Sequence, residues 1–102
     1  MKIFDLMNLE TESNENRSVN VFFQNDTFKT RVIVLEAGGE IPPCQMDIFV
    51  MFYVIKGEVV LRKNEESAIL KENQVFISEP AWLSMDSKFG ARLMGIQIKS
   101  QE

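Results

Sequence analysis

The stretch Gly38-Gly39-Glu40-Ile41-Pro42-Pro43-Cys44-Gln45-Met46-Asp47-Ile48-Phe49-Val50-Met51-Phe52-Tyr53-Val54-Ile55-Lys56-Gly57 decides the fold. The two leading glycines break the chain with backbone freedom that only glycine offers cheaply. Pro42-Pro43 then fixes an extended entry into a strand. From Gln45 to Ile55 the run is apolar on both faces, with Met46, Ile48, Val50, Phe52 and Val54 on one side and Phe49, Met51, Tyr53 and Ile55 on the other. Side chains alternate across a strand, so both sides of this one must be covered. Gly57 marks a bend or hairpin, after which Glu58–Lys63 returns.

The rest of the chain reads the same way. Val, Ile and Phe are abundant and turn signals recur at short intervals, which is an all-β pattern. The opening segment Ile3–Leu9 reads as a strand and Glu10–Arg17 as a polar loop. Strands are expected at Val19–Gln24 and Phe28–Leu35, divided by the Asn25-Asp26 turn signal. Further strands are expected at Ser67–Leu70, after the Asn64-Glu65-Glu66 turn, and at Val75–Ser78, Trp82–Asp86 and Arg92–Lys99. Many short strands at this spacing make a sandwich or a barrel. No repeat or linker divides the 102 residues, so one domain is expected over 1–102, with 18–99 as its barrel core.

Composition excludes several function classes. The chain has no histidine, which removes the Ser-His-Asp triad, the Cys-His dyad and every histidine-ligated metal site. Its net charge is −4, and its eleven Lys and Arg are scattered with no run of three. Nucleic acid and anionic membrane surfaces both need concentrated basic charge, so neither is an expected partner. Cys44 is the single cysteine and cannot close an intrachain disulfide. Asp5 interrupts the apolar start, and the longest apolar run, Ile48–Ile55, falls far short of the ~20 residues that span a bilayer. A cytoplasmic location is expected.

The segment Gly38–Gly57, followed by Asn73–Ser84, resembles the two motifs of the small single-domain cupins. The first family motif, G-x5-H-x-H-x3-E-x6-G, starts here on Gly38 and ends in register on Gly57. Phe52-Tyr53-Val54-Ile55-Lys56-Gly57-Glu58 is similar to the family's aromatic-valine-leucine-glutamate-glycine-glutamate phrase. The second motif is similar to Asn73-Gln74-Val75-Phe76-Ile77-Ser78-Glu79-Pro80-Ala81-Trp82-Leu83-Ser84, with the turn glycine lost at Asn73 and Ala81; Asn tolerates a left-handed backbone. The resemblance implies a jelly-roll barrel, the double-stranded β-helix. The family's metal ligands fall on Cys44, Met46, Val50 and Ser84, so all four are changed, and with them the metal-dependent activities of the family are put in doubt.

Several side chains carry a sharp reading beside a plain one. Cys44 and Met46 share parity and face one cavity, where thiolate and thioether suit a soft ion such as Cu(I); as adaptable hydrophobes they equally pack as core. Cys44 has no neighbouring cation to activate it as a nucleophile. Glu36, Glu40, Glu79 and Asp86 offer carboxylates for acid–base work or simply a solvated surface. Asp86 shares parity with Ser84 and is expected to face the cavity. Trp82, Phe52, Tyr53 and Phe76 line a pocket or fill a core, with Trp82 placed at the barrel mouth.

The expected cavity wall is therefore Cys44, Met46, Val50, Phe52, Trp82, Ser84 and Asp86. The outward face Phe49, Met51, Tyr53 and Ile55 is the expected homodimer contact unless Ile3–Leu9 covers it. The leading reading is a metal-free barrel, without catalysis or cofactor, that binds a small apolar or weakly polar molecule as a sensor or accessory module. The alternatives are a structural homodimer with a filled barrel and an atypical enzyme using a soft metal on Cys44 and Met46.

Overall fold

The computed structural model describes residues 1–11 and 20–99. Among the described residues eight strands follow in order: β1 Val21–Gln24, β2 Phe28–Leu35, β3 Glu40–Met46, β4 Phe49–Lys63, β5 Glu66–Lys71, β6 Val75–Ser78, β7 Ala81–Asp86 and β8 Ala91–Ile98. All pairings are antiparallel, and the sheet runs β1-β2-β8-β4-β7-β3, with β5 and β6 also paired to β4.

The 15-residue β4 organises this sheet. Its first half pairs with β6 and β8, and its second half with β5 and β7. The sheet thus curls into two facing halves that share one strand. The change of direction comes from a register shift between Val54 and Lys56 and from Gly57 at φ +84°. A bulge adds one residue and sharpens the local bend. It also flips the pleat: Val50 and Val54 are buried before it, Val59 and Leu61 after it.

Three expectations are corrected. Glu58–Lys63 does not return after Gly57 but continues β4 into the other half of the sheet. The run Gln45–Ile55 is not one strand, because β3 ends at Met46 and β4 starts at Phe49. At Asp47-Ile48 the chain crosses from a pairing with β7 to one with β8 and β6, so the hydrogen-bond partners change sides. Ile3–Leu9 is not a strand. Asp5 caps a tight turn through its carboxylate to the Met7 amide (3.2 Å) and the Asn8 side chain (2.6 Å). Arg92 holds that turn, donating from Nε to the Leu6 carbonyl (2.6 Å) and from Nη2 to the Leu9 carbonyl (2.8 Å). Phe4 stacks in a tilted contact on Phe22 of β1, with ring centroids 5.0 Å apart. The loop expected over Glu10–Arg17 and the start of the strand expected at Val19 fall largely outside the described residues.

The turns follow local chemistry. Asn25 Oδ1 accepts from the Thr27 and Phe28 amides and closes the β1–β2 hairpin. Asn64 and Asn73 take the left-handed conformation at the two turns that flank β5. Pro42-Pro43 sits where the β3 register shifts, on a strand at the end of the sheet, where a missing amide donor is tolerated.

The larger core cluster joins Ile33, Leu35, Val54, Val59, Leu61, Leu70, Met85, Ala91 and Leu93. Ile33, Leu93 and Val54 lie opposite one another on β2, β8 and β4. A smaller cluster of Val50, Ala81 and Leu83 lies beside it, and Phe52 and Phe76 touch both.

Candidate functional site

A cavity of about 290 Å³ opens between the two halves of the sheet. One wall is β2 and β8, contributing Arg31, Ile33, Gly95, Ile96 and Gln97; the opposite wall is β3 and β7, contributing Ile41, Cys44, Met46, Leu83, Ser84 and Met85. Phe52 of β4 joins them. Gly95 leaves room for its neighbours: a Cβ there would meet Ile33 Cδ1 at 3.3 Å and the Phe52 ring at 3.4 Å.

The cavity has two chemical sides. On the β2–β8 side, Arg31 Nη2 donates to Gln97 Oε1 at 3.3 Å. On the β3–β7 side, Cys44 Sγ stands 3.9 Å from Met46 Sδ, and Met85 lies on the same wall. Cys44 is exposed at the mouth and Met85 is buried. Among the described residues, no carboxylate lines the cavity.

Of the seven expected wall residues, the structure brings together Cys44, Met46, Phe52 and Ser84. The other three stand elsewhere. Val50 is buried in the smaller core cluster, packed with Ala81 and Leu83. Trp82 and Asp86 share the opposite face of β7 from the buried Leu83 and Met85. Trp82 is 55% exposed, and its backbone exchanges hydrogen bonds with Asn64. Asp86 pairs with Arg62 on that outer face. Ser84 shares the parity of Trp82 and Asp86 and lies opposite Arg62 of β4, so it borders the cavity from the strand's outer face.

The carboxylates weighed for acid–base work are all away from the cavity, with Glu36 and Glu40 exposed. Glu79 bonds Lys63 Nζ at 2.5 Å, and that ammonium, with a backbone hydrogen bond, holds its carboxyl below the usual carboxylate range. A lowered folded pKa adds stability that is present above the unfolded value and lost on acidification. The pair is exposed, so solvent screens most of that effect.

Sequence reasoning missed Arg31, Gln97 and Met85 on the cavity wall. Arg31 shares parity with buried Ile33 and Leu35, but Thr30 and Val32 of the other parity are buried as well, so alternation along β2 does not by itself turn the cation inward. Gln97 and Met85 needed the strand pairing, because nothing local sets which face of β7 or β8 turns inward.

No family model matches this chain, and no curated relative does. Solved structures do. The TT1209 protein of Thermus thermophilus superposes with a TM-score of 0.84 at 22% identity, over 96% of this chain and 97% of that one. A cupin superfamily protein from Desulfitobacterium hafniense gives 0.75 at 12% identity, over 90% and 84%. A RmlC-like cupin from Shewanella frigidimarina gives 0.71 at 18%, over 78% and 72%. The fold is that of a small cupin domain.

The fold family implies a hard or borderline divalent ion, and the residues at its positions do not fit one. Val50 has no donor atom and is buried among apolar side chains, and Ser84 is neutral. Among the described residues, no group of three or more Cys, Asp or Glu side chains is placed to hold a metal. Imidazole and carboxylate are the ligands that the family supplies to such ions, and neither is present at these positions. No helix of the described residues is long and apolar enough to cross a membrane.

Proposed function

We propose that this cupin-fold chain is a small-molecule-binding module, a sensor or accessory component working in the cytoplasm without catalysis. The observation that carries the reading is the 290 Å³ cavity between the sheet halves, close to the smallest size that encloses a small ligand. Its walls are mostly aliphatic and aromatic, with the Arg31–Gln97 pair as the polar group that orients an occupant. The absence of histidine from the chain and of carboxylates from the described wall supports binding over acid–base chemistry.

Thermal unfolding against a metabolite panel tests it. A ligand present at a hundred times its Kd adds about 2.7 kcal/mol of stability. Met46→Trp, at the half-buried mouth, is expected to remove that gain by filling the entrance while leaving the unliganded melting temperature within a few degrees. Ligand stabilisation that survives Met46→Trp overturns the reading, as does a broad panel without one stabilising compound. Trp82 fluorescence is not a suitable reporter, because the indole lies on the outer face.

A second reading, assembly into a homodimer, is favoured by the outer face of β6, β4 and β8. Phe49, Val75, Ile77 and Ile98 are exposed there, with Met51 opposite Ile77 and Tyr53 opposite Val75. Contiguous apolar surface of this kind marks interaction sites. The opening segment lies against Phe22 and Arg92 and leaves Phe49 52% exposed. Sedimentation should give a dimer at micromolar concentration and a monomer after Met51→Asp. A monomeric wild type ends this reading.

A further inference from the structure

We propose that the β3–β7 wall of the cavity is a site for one soft monovalent metal ion, Cu(I) or Ag(I), held by the sulfurs of Cys44, Met46 and Met85. The inference goes beyond the small-molecule reading, since it uses the wall opposite Arg31 and Gln97. It rests first on a distance. Cys44 Sγ and Met46 Sδ are 3.9 Å apart. With metal–sulfur bonds of about 2.3 Å, two sulfurs on one ion at tetrahedral to trigonal angles stand about 3.8–4.0 Å apart. The pair already has the spacing that a shared ion requires.

The third ligand comes from topology. Cys44 lies opposite Leu83, and Met85 is two residues further along the same face of β7, paired with Ile41. The register shift between Ile41 and Cys44 sets Met85 across that irregularity from Cys44, and both side chains line the same cavity. Methionine has three rotatable bonds and a polarisable thioether, and Met85, packed in the larger core cluster behind this wall, reaches the pair by a change of rotamer on binding. Thioether and thiolate select soft ions. Charge argues for a monovalent one: on binding, the Cys44 thiol releases its proton to solvent, and thiolate plus a single positive charge is neutral. A divalent ion would leave a net positive charge against an apolar wall, which is costly. Cys44 is exposed, so the ion has an entry path.

The full chain, reduced and anaerobic, is titrated with Cu(I) against a chromogenic Cu(I) chelator, with native mass spectrometry to count bound ions. The expected result is one Cu(I) per chain and an X-ray absorption spectrum with only sulfur in the metal's shell, at about 2.3 Å. Cys44→Ser and the Met46→Leu/Met85→Leu double variant should each lose at least about ten-fold in affinity. Leucine conserves most of methionine's volume, and unfolding curves verify that the variants fold. If buried Met85→Leu unfolds the chain, Met46→Leu alone carries the test. Zn(II) and Mn(II) should not be retained. Failure to bind one Cu(I), undiminished affinity in the methionine variants, or oxygen or nitrogen in the metal's shell would each overturn the proposal. None of these outcomes bears on the metabolite-induced stabilisation of the metal-free chain, so the two readings fail separately.

Discussion

Leu93→Ala will destabilise the domain by about 3–5 kcal/mol, and urea unfolding will show it as a lower midpoint with little change in slope. Leu93 is fully buried on β8, opposite Ile33 of β2 and Val54 of β4, and all three belong to the larger core cluster. The three strands are fixed by continuous ladders, so the backbone cannot close over the space left by the isobutyl group. The cost then combines the lost transfer energy with that of a cavity that relaxes only in part. Ile69→Ala supplies the contrast. Ile69 lies on β5 next to buried Leu70, but it is 55% exposed, and its truncation should cost under about 1 kcal/mol. Equal losses at the two positions would mean that the core does not sit between the sheet halves.

Gly57→Ala is the second large effect. Gly57 sits at φ +84°, and a Cβ there would meet the Gly90 carbonyl oxygen at 2.5 Å and Ala91 Cα at 3.1 Å. Both obstacles are backbone of β8 or its entry, paired directly with Gly57, and neither can rotate away. Left-handed strain contributes about 1–2 kcal/mol and the steric conflict adds about 1–3 kcal/mol. Gly38→Ala separates the two contributions. Gly38 is at φ +78°, but a Cβ there meets nothing within 4 Å, so only the strain remains. The difference between the two variants measures how tightly the bend of β4 is pressed onto β8. If Gly57→Ala is no worse than Gly38→Ala, the bend is not held against β8 as described.

That close approach explains why the bend in β4 was legible and its consequence was not. A glycine after a doubly apolar run signals a bend or a hairpin, because both need unusual backbone angles. The choice between them depends on partners. Here β8 and β6 take the first half of β4 while β7 and β5 take the second, so the chain crosses between sheet halves without turning back. The short break at Asp47-Ile48 falls on the one charged residue of Gln45–Ile55, a type depleted in strands, but the change of hydrogen-bond partner that it marks depends on β7, β6 and β8. The opening turn was hidden for another reason. Ile3–Leu9 carries strand-forming side chains, but Asp5 and the guanidinium of Arg92, at the far end of the chain, satisfy its backbone instead.

The cavity divides along the same line. Cys44 and Met46 were readable because they share parity on β3 at the motif's ligand positions, and Phe52 because it is an aromatic of β4 beside buried Val50 and Val54. Asp86 follows the parity of Ser84, the motif position, and Trp82 stands beside it, whereas buried Ala81, Leu83 and Met85 show that β7 turns its other face to the core, leaving Ser84 at the cavity border. Met85 and Arg31 became wall residues only when β3 met β7 and β2 met β8.

The amino-acid order alone determined an all-β domain, the turn chemistry at Asn25 and Asn73, the special backbone at Gly57, and a donor set without imidazole or carboxylate at the family's ligand positions. These are local properties of residues and of alternation, written wherever a side chain or a φ angle permits one state and forbids others. Tertiary structure decided which strands share a ladder, which face of each looks inward, and so which sulfurs, amides and cations meet across the cavity. Those meetings join residues dozens of positions apart, and only the completed pairing of strands fixes the register that brings them together.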